Sequence, residues 1–271
     1  MSLQDLESKA TAVQKRDVHP AARALELAMG GISQLLPRQL TVERMQRLSL
    51  GILRTNKQLN VAAKDNPHSF VAAVVSACKL GLEPGIDAHL VPFKNRKTGV
   101  TEIQFIPDYR GLLKLARQSG EVTAVQVNIV YDQDEFSMEL GLEDKVKHVP
   151  KTKGDRGEIL LVYGVAKFKD GSHHFEWMSK DSIDKIRAGS KASDTGPWKT
   201  DYEEMARKTL VRRICKYLPR TLELDIATKV IDAHEEGKRA VVEGDVVIID
   251  GDLDEETPPT KDTPEPNGKA E

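Results

Sequence analysis

The order in which helical and strand patterns follow each other limits the fold of this chain more than any other feature. Helical patterns fill the first part, up to Gly81, a glycine placed just after an apolar helix. Strand patterns then follow at 89–93, 101–106, 122–130, 136–140, 159–168 and 173–178. Because helices bracket runs of strands instead of alternating with single strands, the sequence predicts an α+β fold with helices packed on an antiparallel sheet.

Capping residues, glycines and prolines mark the boundaries of the predicted helices. These helices cover 20–36, 41 to about 53, 70–80, 108–119, 180–187 and a helix-length segment from Gly196 to Pro219. Asp170-Gly171 is a tight-turn signal between the last two strands, and a basic loop at 94–99 separates the first two. The sequence therefore predicts N-terminal helices, then a β-hairpin, then a sheet packed with helices.

The segment 196–219 carries a basic stripe. At about 100° per residue, Lys208, Arg212 and Lys216 fall on one side of a helix. The opposite side is apolar or aromatic and is formed by Tyr202, Ala206, Leu210, Ile214 and Tyr217. One side can therefore pack while the other meets phosphates, although a solvated basic surface explains the stripe equally well.

A second basic surface is predicted on the helix at 108–119. Its outer face carries Arg110, Lys114 and Arg117. The tip of the predicted hairpin adds Lys94 and Arg96, which are placed to contact a phosphate backbone. Two basic helices, each with an aromatic residue at its start, favour nucleic-acid binding over a solvated surface.

Binding of unpaired strands also needs flat side chains on which bases can stack. Trp198 stands at the junction of a loop and a helix, and we predict that it is exposed and stacks on a base. Tyr109 begins the other basic helix and is a second candidate. Tyr202 and Phe93 also lie in or beside basic segments, but core packing explains both better.

Several classes of enzyme are disfavoured because their motifs are missing. The sequence has no glycine-rich loop ending in Gly-Lys-Ser/Thr, no Gly-x-Gly-x-x-Gly after a strand, and no Cys/His spacing for zinc. Cys78 and Cys215 occur in apolar helical patterns and are predicted to be reduced core residues. We therefore predict no cofactor, no metal and no catalytic activity.

One group of side chains consists of residue types that can bind a metal ion. It comes from a single predicted strand and the turn before it, and consists of Asp170, His173, His174 and Glu176. Strand alternation places His173 on the side opposite His174 and Glu176, which argues against a shared ion. A metal-dependent DNA-processing enzyme is thus the least favoured alternative.

The formal net charge of −2 conceals an uneven distribution. Residues 243–271 contain ten acidic residues and two lysines, which leaves 38 basic and 32 acidic residues in the rest of the chain. We expect 1–19 to be a flexible lead, 20–238 to be one DNA-binding domain, and 239–271 to be a disordered acidic tail. The tail competes with DNA for the basic face, docks partners or only increases solubility.

The sequence gives no indication of a membrane partner. No apolar run approaches the roughly 18 residues that span a bilayer. The first residues lack the pattern of a secretory signal. We therefore expect a cytoplasmic protein.

Six blocks of residues stand in a characteristic order along roughly 35–230. They are Gly81-Leu82-Glu83-Pro84-Gly85, Val91-Pro92-Phe93, the segment Asp108 to Gly120, Asp134-Glu135-Phe136-Ser137, Ala166-Lys167-Phe168-Lys169-Asp170-Gly171, and the segment Gly196 to Pro219. Together they resemble the RecT family of phage single-strand annealing proteins. Asp108 departs from the glycine that members tend to have there, and we expect its side chain to cap the helix.

The resemblance implies a protein that binds single-stranded DNA and anneals complementary strands without nucleotide hydrolysis in phage homologous recombination. It also implies ring or helical homo-oligomers, contact with newly annealed duplex, and a phage exonuclease as partner in a bacterial host cell. A host single-strand-binding protein is a further candidate partner. The alternative function is passive coating of single-stranded DNA.

The resemblance further implies which residues form the DNA-binding groove. The first basic helix would supply Arg110 and Arg117, and the second would supply Lys199, Arg207, Lys208, Arg212 and Arg213. Trp198 and Tyr109 would lie beside this groove. The basic patterns described above add Lys94, Arg96, Lys114 and Lys216 to the predicted DNA-binding set.

Overall fold

The computed structural model describes residues 18–34, 36–37, 40–96, 98–142, 144–190, 193 and 196–255, with the backbone alone for 251–255. Within these residues, nine helices combine with antiparallel strand pairs, which confirms the predicted α+β class. The predicted flexible lead lies outside the described residues except for Val18 and His19. Among the described helices, none has the length and apolar character needed to cross a bilayer. The chain divides into two compact units, residues 1–106 and 107–271.

The first unit contains four helices followed by a β-hairpin. Its elements are α1 (Pro20–Ile32), α2 (Val42–Thr55), α3 (Lys57–Asp65), α4 (Pro67–Lys79), β1 (Ala88–Asn95) and β2 (Thr101–Pro107). The sequence patterns do not predict α3, because only Asn56 separates it from α2. The side chain of Asn56 accepts a hydrogen bond from the backbone N–H of Leu59 at 3.0 Å and thereby starts the new helix.

An ion pair to a buried glutamate fixes the loop between α4 and β1. Arg44 of α2 forms a bidentate ion pair with Glu83, whose side chain is only 10% exposed. Gly81 and Gly85 both adopt positive φ, and a Cβ on either would lie 2.9 Å from a neighbouring side chain. The block Gly81-Leu82-Glu83-Pro84-Gly85 thus has a structural explanation, since two glycines allow close packing and Glu83 anchors the loop.

The second unit is built around a three-stranded sheet. Its elements are α5 (Tyr109–Gln118), β3 (Val122–Tyr131), β4 (Glu135–Glu139), β5 (Lys145–Val149), β6 (Ile159–Phe168), β7 (His173–Ser179), α6 (Lys180–Gly189), α7 (Pro197–Thr200), α8 (Tyr202–Cys215), α9 (Leu222–Glu235), β8 (Lys238–Glu243) and β9 (Val246–Glu255). The strand order is β3-β6-β7, while β4 pairs with β5 and β8 with β9. The sequence patterns do not predict β5, α9 or the β8-β9 hairpin.

The two faces of the β3-β6-β7 sheet are covered differently. On one face, α8 approaches β6 at Gly164, where a Cβ would lie 2.5 Å from Cδ1 of Ile214 and 3.2 Å from Cδ2 of Leu210. On the other face, Tyr163 packs with Val130 and Leu161, and the β4-β5 hairpin contributes Phe136 and Val146 to that cluster. The sheet is therefore sandwiched between a helix and a hairpin.

The segment 196–219 forms two helices, which corrects the prediction of a single one. Asp201 separates α7 from α8 with φ −141° and ψ 52°, outside the helical region. Its side chain accepts a hydrogen bond from the hydroxyl of Thr200 at 2.7 Å. Short polar side chains of this kind compete for local hydrogen bonds and favour helix ends over helix interiors.

The described residues of the predicted acidic tail form strands, which corrects the expectation of disorder from residue 239. Residues 238–255 form the β8-β9 hairpin, in which Glu243 pairs with Val246 across a two-residue turn containing Gly244 at φ 56°. The β-branched residues on both sides of this turn explain the pairing. An ion pair of 2.9 Å between Arg239 and Asp250 adds a cross-strand contact. The remaining part of the predicted tail, 256–271, lies outside the described residues.

A buried carboxylate holds the β4-β5 hairpin in place. Asp134 is fully buried and accepts hydrogen bonds from Arg156 at 2.6 Å and from the backbone N–H of Lys151 at 2.8 Å. The imidazole of His148 lies between Asp134, at 3.1 Å, and the hydroxyl of Tyr163, at 3.2 Å. Hydrogen bonding from Arg156 is the main reason that the pKa of Asp134 lies far below its ordinary value.

We predict that Asp134→Asn lowers the free energy of unfolding by about 3 kcal/mol at neutral pH, because Arg156 loses its charged partner. Since the folded state depresses the pKa of Asp134, its contribution is complete above about pH 4 and is lost as the pH falls further. Urea denaturation over a pH series measures both effects. The exposed Asp65→Asn is the control, and identical pH profiles for wild type and Asp134→Asn would contradict the assignment.

Candidate nucleic-acid interface

The outer face of α5 presents three cations. The side chain of Asp108 accepts a hydrogen bond from the N–H of Tyr109 at 2.7 Å, which confirms the expected cap, and Gly120 ends the helix with φ 77°. The apolar side of the helix is buried through Leu112, Leu115 and Ala116. The opposite side, called here the α5 face, forms a shallow depression of about 440 Å³ lined by Arg110, Leu113, Lys114, Arg117 and Gln118. It is the most concentrated group of predicted DNA-binding residues in the second unit.

Two glutamates of α8 connect the α5 face to Arg207. The hydroxyl of Tyr109 donates to Glu204 at 3.4 Å, and Arg207 forms ion pairs with Glu204 at 2.7 Å and with Glu203 at 3.3 Å. Arg110 donates in turn to the Tyr109 hydroxyl at 3.5 Å, a contact that raises the pKa of its guanidinium. The structure thus brings Tyr109, Arg110 and Arg207 together, as the sequence predicts, and places carboxylates between them.

The same network extends to two residues that the sequence analysis does not single out. The hydroxyl of Tyr131 donates to Glu203, and burial together with this bond raises the pKa of Tyr131 to about 12. The guanidinium of Arg156 lies over the Tyr131 ring, 4.1 Å from its centroid. No periodic pattern surrounds Arg156, so only the tertiary structure reveals that it adjoins Arg207 through Tyr131 and Glu203.

The predicted basic stripe on α8 is largely covered. The side chain of Arg212 is only 16% exposed and pairs with Asp232, at 2.9 Å, and with Glu235, both on α9. Burial lowers the pKa of Arg212 and of Lys208. Lys216 is exposed and lies 3.6 Å from Asp232. The prediction that the whole stripe faces solvent is therefore wrong. Helical periodicity does not show that α9 packs against this side of α8.

Trp198 does not have the exposure predicted from its position. Its side chain is 5% exposed and meets the ring of Tyr202 edge-on, with centroids 5.9 Å apart. The Tyr202 hydroxyl donates to Asp184 at 2.8 Å. The turn between α7 and α8 folds the indole inward, so its predicted role as an exposed stacking surface has no support from the structure.

Trp198 and Lys199 line a cavity of about 750 Å³. The other charged residues around it are Glu158, Lys180, Asp184 and Arg187. Lys180 pairs with Asp184 at 3.0 Å, which raises the pKa of that lysine. Lys199 itself is exposed and remains available as a predicted phosphate contact. Cations and carboxylates are nearly balanced here, unlike on the α5 face.

The remaining predicted contacts occupy separate positions. Arg213 is half exposed and pairs with Glu176 of β7 at 3.0 Å. In the first unit, Lys94 and Arg96 are exposed at the β1-β2 hairpin, where Asn95 organises the turn by accepting a hydrogen bond from the N–H of Thr98. Their contact with DNA stays a prediction.

The described residues contain no cluster of three or more His, Cys, Asp or Glu side chains able to hold a metal ion. Asp170 instead accepts hydrogen bonds from the hydroxyl and N–H of Ser172, which close the β6-β7 turn. Both cysteines are buried, and burial raises the pKa of each thiol to about 12.

Two comparisons show which known proteins this chain is similar to. The RecT family model matches residues 43–260. The chain is also 38% identical over 228 residues to Protein RecT of Escherichia coli (strain K12), a match that covers 81% of this chain and 83% of that protein. The matched region includes every residue discussed in this section.

We predict that Arg212→Ala lowers the free energy of unfolding by about 1–2 kcal/mol, because Asp232 and Glu235 lose a shared hydrogen-bonded cation. The exposed Arg117→Ala should change it by less than about 0.5 kcal/mol. Chemical denaturation of both variants provides the comparison. Equal stabilities would show that the α8-α9 ion pairs contribute nothing to the free energy of unfolding.

Proposed function

This chain belongs to the RecT family, and on that premise we propose that it binds single-stranded DNA and anneals complementary strands without nucleotide hydrolysis. The observation that supports this proposal is the α5 face, where Arg110, Lys114 and Arg117 line one depression beside Tyr109. Cations at this spacing can follow a phosphate backbone, and adjoining rings can receive bases. The proposal assigns the protein no catalytic chemistry.

The proposed mechanism separates holding the strand from reading its sequence. The α5 face and Arg207 hold the first strand by its phosphates, and the base edges remain open to a second strand. Base pairing then selects the partner, because stacking along a matched duplex supplies roughly 1.4 kcal/mol per step and mismatches do not recover it. The protein has only to reduce repulsion between two polyanions, so the reaction needs no input of energy.

The glutamates of α8 have a positioning role in this mechanism. Glu204 contacts both Tyr109 and Arg207, and Glu203 contacts Arg207 and Tyr131. They fix the direction of these side chains before DNA arrives, which lowers the conformational entropy lost on binding. They also weaken the local attraction for phosphate, which favours release of the annealed product.

The proposal includes the wider organisation expected of the family. Because the family match continues to residue 260, we assign the β8-β9 hairpin to the annealing region, which then extends beyond the predicted boundary at residue 238. Homo-oligomers in a ring or helix would align successive α5 faces along one strand. A phage exonuclease would supply that strand in the cytoplasm of a bacterial host, and a host single-strand-binding protein is a further proposed partner.

We predict that the purified protein accelerates pairing of two complementary labelled oligonucleotides in the absence of ATP and added metal. A non-complementary pair provides the control. Acceleration that is restricted to complements would establish annealing. Binding without acceleration would leave only passive coating of single strands, and magnesium-dependent cleavage would contradict the assignment of a non-catalytic protein.

We predict that replacing Arg110, Lys114 and Arg117 by Gln reduces the slope of log affinity against log salt by about 2, at about 0.7 for each phosphate that is no longer neutralised. A wild-type slope near −3.5 would correspond to about five phosphates per protomer. The matched control replaces Arg47, Arg54 and Lys57, also two arginines and one lysine, exposed on α2 and α3. Equal slopes for the two triple variants would exclude the α5 face as the phosphate contact.

A further inference from the structure

Tyr217 presents an exposed ring although its helical spacing predicts a packed one. The ring-bearing residue is 58% exposed, whereas the next residue, Leu218, is 3% exposed. The reason is that α8 ends at Cys215 and the chain turns, with the N–H of Tyr217 donating to the carbonyl of Ile214 at 2.9 Å. The turn directs Leu218 inward and leaves Tyr217 at the surface.

The exposed ring is supported from one side by a histidine. The ring of His174 stacks on Tyr217 with centroids 4.6 Å apart and an interplanar angle of 27°. Nε2 of His174 is buried and, among the described residues, has no hydrogen-bond partner. The imidazole therefore contributes a flat surface here, and it orients the tyrosine before any ligand binds.

Neighbouring charges hold this pair in position. Glu176 follows His174 on the same side of β7, with carboxylate and imidazole 3.9 Å apart. The carboxylate also pairs with Arg213, one helical turn before Tyr217. Strand, helix and aromatic pair are thus linked by charge at the end of α8.

A cation connects the tyrosine to the end of the α5 face. Tyr217 and Lys169 line one depression of about 470 Å³, whose other members are Glu121, Phe168, Asp170, Ser172, Leu218 and Pro219. Nζ of Lys169 lies 3.7 Å from the position that a Cβ on Gly120 would take, directly after α5. Lys169 therefore adjoins both the end of α5 and the depression that contains Tyr217, in which Glu121 and Asp170 are the two carboxylates.

The length of this path fits a short piece of one strand. Arg110 and Arg117 are seven residues apart on α5, which corresponds to about 10 Å at 1.5 Å per residue. At about 3.4 Å per nucleotide along a B-form strand, that distance spans roughly three phosphates. The α5 face alone therefore accounts for about three nucleotides of a bound strand.

We propose that Tyr217, supported by His174, is a stacking platform for one unpaired base of a single strand whose phosphates follow the α5 face and Lys169. This inference rests on the proposed function and names the group that replaces Trp198 as the base contact. The ligand class is any nucleobase, because stacking on a phenol ring needs a flat face and no particular hydrogen-bond pattern. Tyr217 contributes no charge, so its effect on affinity can be distinguished from that of the α5 cations by the salt dependence of binding.

The test compares a short oligothymidylate with an all-abasic strand of the same length and charge, using the full chain. Tyr217→Leu is expected to weaken binding of the thymidylate about tenfold per site and to leave binding of the abasic strand unchanged. Tyr217→Phe should keep the wild-type preference, since it retains the ring. The salt dependence of Tyr217→Leu should equal that of the wild type, since the substitution removes no charge.

Trp177→Leu is the matched control, because Trp177 is also an exposed aromatic residue. It lies on β7, where strand alternation places it on the side opposite His174. It should keep the wild-type preference for bases. The inference is overturned if Tyr217→Leu keeps that preference or if Trp177→Leu loses it to the same extent. A wild-type protein that binds neither strand would instead contradict the proposed function itself.

A second measurement uses the unaltered protein and so does not depend on the folding of a variant. Irradiation of the complex with an oligonucleotide containing 5-bromodeoxyuridine should crosslink the peptide that carries Tyr217, as identified by mass spectrometry. Crosslinks confined to other peptides would overturn the assignment.

Discussion

The second unit depends on the close approach of α8 to the sheet at Gly164. A side chain at that position would collide with Ile214 and Leu210, so only a glycine permits the helix to sit this low on β6. Three sets of contacts start from this position of α8. Its first turn reaches Tyr109 and Tyr131. Its last turn pairs with α9 through Arg212 and with β7 through Arg213. One helix therefore places Arg207, the phosphate contact proposed on α8, and the ring that follows its last turn.

Three tyrosines around this helix are held in different ways. Tyr109 and Tyr131 are fixed through their hydroxyls, which donate to neighbouring carboxylates of α8. Tyr217 is fixed through its ring, by stacking on His174. A tyrosine held by its hydroxyl has a set direction but a partly covered surface, whereas one held by its ring keeps the opposite side open. This difference is why we assign base stacking to Tyr217.

The sequence was sufficient for features that depend on neighbouring residues. The cap at Asp108, the glycine at Gly120 and the turn at Asp170-Gly171 are all local, and all three are present as predicted. Features that depend on distant residues could not be predicted. The packing of α9 decides whether Arg212 is exposed. The inward position of Trp198 follows from the interruption of the helix at Asp201. Helical periodicity identifies a stripe, but it does not show which element covers it.

The packing of α9 on α8 also changes how the composition of this chain should be understood. Asp232 and Glu235 pair with Arg212 in the folded chain and act as its counterions. A guanidinium that already has such a partner holds few salt ions from solution and has few to release when a polyanion arrives. The number of lysines and arginines in the sequence therefore overstates the positive charge that the surface offers to a polyanion. The effective valence of the surface is set by exposed cations such as Arg117.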